Sequence, residues 1–197
     1  MPFPSGFLEL VDTRPFISLW FWLWFITLWA WSGRYVLGVP SETIQRADRA
    51  LRAAKAGKTG PEPAELPEAA LLLDFLSLHV PHWRAGEREG PIMLGLGAFA
   101  GASLFVLGFR FGISTAQALF FLTVPFMILS VMRARLAARL EVILDQAARG
   151  MAVNDAARAA LRQIGVHRTL LTILSLLSVV VTSIWGTLWV LTHPSGL

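Results

Sequence analysis

The sequence contains no cysteine. That absence excludes disulfides, thiolate metal sites, cysteine-ligated iron–sulfur clusters and cysteine nucleophiles together, and leaves the redox compartment open. Charge is also scarce. Charged residues are 15% of the chain and hydrophobic ones 55%, with charge-free runs too long for the core helices of an ordinary soluble domain. Lysine is confined to Lys55 and Lys58; the remaining basic residues are arginines, which with the alanine-rich loops hints at a GC-rich bacterial genome. No basic stretch precedes the first apolar run and no small-residue cleavage site follows it, so a cleavable signal peptide is not expected.

What is present are four apolar runs that meet the length of roughly 17–25 residues for a spanning helix. They cover residues 15–33, 91–109, 111–132 and 169–192, and none contains Asp, Glu, Lys, Arg or His. Backbone groups in hydrocarbon must be satisfied within the segment, so the runs should be helices, and no alternating pattern suggests a barrel. The expected fold class is all-α: a single polytopic membrane domain over residues 1–197 with about four transmembrane helices.

Orientation follows from the basic residues. Arg34, Arg46, Arg49, Arg52, Lys55, Lys58, Arg84 and Arg88 lie between runs one and two. Arg133, Arg135, Arg139, Arg149, Arg158, Arg162 and Arg168 lie between runs three and four, which leaves only Arg14 and Arg110 elsewhere. The positive-inside rule then predicts cytoplasmic segments at 34–90 and 133–168, both termini outside, and a bacterial inner (plasma) membrane. The net charge of +4 is explained by this flanking pattern, and no nucleic-acid partner is expected.

In the first cytoplasmic segment, Ser41 reads as an N-cap. Ile44, Ala47, Leu51 and Ala54 form an apolar face beside Arg46, Arg49 and Arg52, which suits either an anionic leaflet or a solvated helix. Pro67 opens a short apolar helix through Val80, too short to span, that reads as interfacial or as a docking surface. In the second segment, run three continues through Leu136, Leu140 and Leu144 to a stop at Gly150. Asn154 can cap a helix returning into run four. This predicts a cytoplasmic helical hairpin that extends spans three and four.

Candidate chemistry is sparse. Ala56-Gly57-Lys58-Thr59 is a fragment of a phosphate loop, but Arg52 stands where the motif needs glycine and no strand precedes it. His79 and His82 are spaced for one helical face, yet Pro81 intervenes. His167 and His193 sit at opposite ends of run four, so interfacial histidine is the simpler reading and no metal site is expected. A proton or ion pathway would need an intramembrane ionisable group, and the runs have none. Ser175, Ser178 and Thr182 form a hydroxyl stripe that suits helix packing, or a pore built by an oligomer. Gly97 and Gly101 form a GxxxG pair, with Ala98, Ala102, Gly108 and Gly112 continuing the small-residue theme. Its partner is either run three or another protein. Run one carries Trp20, Trp22, Trp24, Trp29 and Trp31, more rings on more faces than interface anchoring requires, and reads as a packing surface for a partner.

Phe7-Leu-Glu-Leu-Val-Asp12, Phe16 to Trp24 and Val36-Leu-Gly-Val-Pro40 resemble the start of a family of small bacterial membrane proteins commonly labelled a component of the SufBCD complex. Phe111 to Phe120, Pro125 and the Arg133 to Arg139 exit are similar to that family's central hairpin. The resemblance covers about the first 140 residues. It implies a role near iron–sulfur assembly and brings no catalytic residues; without cysteine the chain holds no cluster through thiolates. The expected function is a non-catalytic accessory or assembly subunit of a larger bacterial inner-membrane complex, with other membrane subunits and the lipid bilayer as partners and no cofactor. The alternatives are a small transporter or oligomeric channel, for which a homo-oligomer is possible, and a stator-like energy-coupling protein.

Overall fold

The computed structural model describes residues 15–57, 65–83 and 89–192. It is all-α apart from one minimal hairpin. The elements are α1 (Leu19–Arg34), β1 (Tyr35–Val36), β2 (Val39–Pro40), α2 (Ser41–Lys55), α3 (Pro67–His79), a 3-10 turn (Val80–Trp83), α4 (Glu89–Phe105), a π-helical turn (Val106–Arg110), α5 (Ser114–Ala148) and α6 (Val153–Thr192).

Three helical stretches are long and apolar enough to cross a membrane: Gly90–Arg110, Ser114–Ala148 and Val153–Thr192. The first expected span falls short. Residues from Pro15 form a turn, with the Ser18 N–H donating to the Pro15 carbonyl, so α1 keeps only 16 residues. At 1.5 Å per residue that is about 24 Å of helix, against roughly 30 Å of hydrocarbon.

The helices gather into two compact units. The first holds α1 through Ala30, α4, α5 through Ile128 and α6 from Ile173. Its helices expose most of their large apolar side chains, among them Met93, Phe99, Leu176 and Ile184.

The second unit holds the hairpin, α2, α3, α5 from Leu129 and α6 up to Thr172. It has a conventional core. Leu72, Leu76 and Leu140 are fully buried, each worth about 1.5–3 kcal/mol of apolar transfer. The four residues of the expected apolar face of α2, Ile44, Ala47, Leu51 and Ala54, are all buried. The first three belong to the same cluster as Ala69, Leu72, Leu73 and Leu76 of α3. That face is therefore occupied by protein and is not offered to a leaflet. The basic residues of α2 stay outside, where Arg46–Glu42 and Arg52–Asp48 form exposed i,i+4 pairs.

Caps differ in detail from the expected ones. Ser41 is the first helical residue of α2, and the N-cap is Pro40, with no side-chain hydrogen bond. Asn154 lies inside the first turn of α6, and its Oδ1 accepts the Leu66 N–H at 3.0 Å, fixing the start of α3. Gly150 does end α5. With φ at +106°, it donates to Ala147 while Met151 donates to Gln146, the paired bonds of a Schellman stop.

The β1–β2 hairpin turns on Leu37 and Gly38, both with positive φ as a type I′ turn requires. Leu37 is 1% exposed, so burial holds a leucine in a backbone region it would otherwise avoid. A Cβ on Gly38 would lie 2.6 Å from the His79 ring. Hairpin and α3 therefore touch through a position only glycine fits.

Candidate functional site

The tryptophans of α1 separate by face. Trp29 is 8% exposed, and its ring lies 5.2 Å from that of Phe126. Trp22 is part-buried, and its Nε1–H donates to the Phe16 carbonyl at 3.1 Å. Trp20 and Trp24, one turn apart, are each 64% exposed, and Trp31 is equally open near the helix end. Two of the five rings thus pack within the protein, and three are exposed.

The small-residue pair of α4 faces α5. A Cβ on Gly97 would meet the Met127 Cε at 2.9 Å, and one on Gly101 would touch Met127 and Val124. The closest approach comes at the π-helical turn, where a Cβ on Gly108 would lie 2.9 Å from the Gln117 backbone nitrogen. Gln117 is the polar centre of the first unit. It is 6% exposed; its Nε2–H donates to the Gly108 carbonyl at 2.8 Å, and its Oε1 accepts the Trp185 Nε1–H at 3.0 Å. One amide so joins the π-helical turn, α5 and α6. Around it packs an aromatic cluster in which Phe109 lies 5.1 Å from Trp185 and Phe16 lies 6.1 Å from Trp189.

The hydroxyls of α6 point largely inward. Ser178 is 6% exposed and donates to the Leu174 carbonyl at 2.7 Å; Ser175 is half-buried. Thr182 is fully buried, and its Oγ1 has no hydrogen-bond partner among the described residues.

In the second unit, Arg133 follows the last residue of the third apolar run. Its guanidinium donates to the Ser32 carbonyl at 3.2 Å and lies 5.3 Å from the centre of the Trp83 ring. Burial lowers its pKa. His167, 6% exposed, has its pKa lowered by burial first and by the Arg133 charge second. Beside it a cleft of about 130 Å³ opens between α5 and α6. Met132, Arg135, Leu136 and Arg139 line it from α5, and Gln163, Val166, His167 and Leu170 from α6.

The remaining motifs do not converge. Gly57 (φ +66°) donates to the Ala54 carbonyl as the stop of α2, while Lys58 and Thr59 lie outside the described residues. His79 and His82 each turn Nδ1 onto the carbonyl four residues earlier. His193 lies outside the described residues, and among those described no group of three His, Asp or Glu is placed to hold a metal. Sequence reasoning missed Gln117, Trp185 and the α5–α6 cleft. The signal for Gln117 was present, as an amide inside an apolar run, but an uncharged side chain there carries less weight than an ionisable one.

The chain matches no family model, no curated protein and no solved structure.

Proposed function

We propose that this chain is a non-catalytic accessory or assembly subunit of a larger bacterial inner-membrane complex, docking through the outer face of α1. In this reading α1 crosses together with the turn from Pro15 as a fourth span, in hydrocarbon locally thinned to its length, both termini lie outside, and residues 34–90 and 133–168 lie in the cytoplasm.

The observation that carries it is the exposure of Trp20, Trp24 and Trp31 on a helix whose Phe25 and Trp29 are packed. Tryptophan enriches membrane interfaces and protein interfaces alike. Trp20, Trp24 and Trp31 are spread over about 16 Å of helix rise, roughly half the hydrocarbon thickness. Interface anchoring cannot use all three, and a partner can. The hydroxyl-lined channel gains less support, because Ser178 and Thr182 are buried within the first unit.

The test is extraction of the tagged chain in a mild detergent, with native mass and stoichiometry of what accompanies it. A fixed set of partners at whole-number stoichiometry, lost in the Trp20→Leu/Trp24→Leu variant but kept in wild type, supports the reading. A homo-oligomer alone, unchanged in that variant, overturns it.

A further inference from the structure

The α5–α6 cleft is built from two matching four-residue sets. Met132, Arg135, Leu136 and Arg139 recur at i, i+3, i+4 and i+7 on one helix; Gln163, Val166, His167 and Leu170 repeat that spacing on the other. Such spacing places each set on a single helical face. The cleft is graded along its length. Met132 and Leu170 belong to the apolar runs that end and begin there, whereas Arg139 and Gln163 lie seven residues further out, about 10 Å along each helix.

None of the lining side chains is acidic. Arg135 and Arg139 are exposed and in no ion pair among the described residues. Arg139 reaches across the cleft, its Nη1–H donating to Gln163 Oε1 at 3.3 Å, which holds one guanidinium over the opening. The volume of about 130 Å³ equals roughly four waters at ~30 Å³ each, enough for a phosphate group.

We propose that this cleft is a binding site for one anionic phospholipid, with the headgroup phosphate on Arg135 and Arg139 and an acyl chain against Met132, Val166 and Leu170. A free phosphate would use the guanidiniums and leave the apolar end idle; a zwitterionic lipid would bring its own quaternary ammonium up against the two guanidinium charges. An anionic lipid engages both ends without that like-charge contact, because guanidinium forks match phosphate oxygens, no headgroup cation opposes them, and the apolar end opens where the spans begin. The inference rests on the membrane placement of α5 and α6 and not on the accessory-subunit reading.

The experiment uses the full chain, delipidated in a neutral detergent, with native mass spectrometry against phosphatidylglycerol and phosphatidylcholine of identical acyl chains. One phosphatidylglycerol should bind at least about tenfold more tightly than phosphatidylcholine, as two arginines at a headgroup allow. Arg135→Gln/Arg139→Gln should erase that preference, while Arg46→Gln, on the outer face of α2, should keep it. A photoreactive phosphatidylglycerol on the wild-type chain should label residues 132–139 and 163–170, which needs no variant to fold. Equal affinity for the two lipids, labelling confined to other segments, or full displacement by millimolar inorganic phosphate would each overturn the site. Loss of partner recovery from the α1 variant would leave these outcomes unchanged, so the two readings fail separately.

Discussion

A methyl group added at Gly108 has nowhere to go, because the atoms it would strike are the Gln117 backbone nitrogen and Cα, at 2.9 and 3.1 Å. At Gly97 the obstacle is only the mobile tip of Met127. Gly108→Ala should therefore lower stability by about 1–3 kcal/mol and Gly97→Ala by much less, read as thermal unfolding in one detergent. Gln117→Leu strips partners from a buried carbonyl, at about 1–3 kcal/mol, and from a part-buried indole N–H, at less. His167 gives a pH signature. Its folded pKa lies below the unfolded value of about 6.5, so the unfolded chain binds more protons as acidity rises. Stability should be complete above that pH and decline as pH falls from it towards the lowered folded value. His167→Gln in lipid-free detergent should flatten the profile; an unchanged slope would refute the assignment. None of these three contacts was legible from residue type alone. Gly108 read as one more small residue, Gln117 as an uncharged one and His167 as interfacial, because what each touches is 9 to 68 positions away or on another helix.

At the scale of elements, periodicity located the long helices and the inward face of α2, since Ile44, Ala47, Leu51 and Ala54 follow the turn of the helix. It did not say what covers that face. The covering residues of α3 begin fifteen positions after Ala54, and nothing in α2 distinguishes a leucine-rich helix from a leaflet as its neighbour. The structure makes the distinction testable. Ala47 is fully buried, so Ala47→Leu should overpack the second unit by about 1–3 kcal/mol, measured by chemical denaturation, rather than strengthen binding to anionic vesicles. Apolar length also overstated α1. A run of adequate composition was shortened by the turn at Pro15, and hydropathy carries no information about where hydrogen bonding begins. The cleft between α5 and α6 escaped for a related reason, as its two halves look ordinary until antiparallel packing sets them face to face.

For the whole molecule, the missing thiols become an advantage, since any cysteine introduced is the only one present. In the four-span topology, Ile113→Cys should react with an impermeant maleimide in intact cells, and Glu42→Cys only after the membrane is opened. Reaction of both from one side would refute that arrangement. The contact between Gln117 and Trp185 has a consequence for biosynthesis. The ribosome finishes Trp185 68 residues after Gln117, roughly 3–14 s later at ordinary elongation rates. Through that interval α4 and α5 can already be joined by the Gly108 bond while the amide oxygen of Gln117 waits without its donor. A nascent chain stalled in this window carries a polar acceptor among apolar helices without its donor, so the first unit stays incomplete until α6 arrives. Arrival of α6 supplies the donor, so the same indole that packs against Phe109 also completes the hydrogen bonding of Gln117.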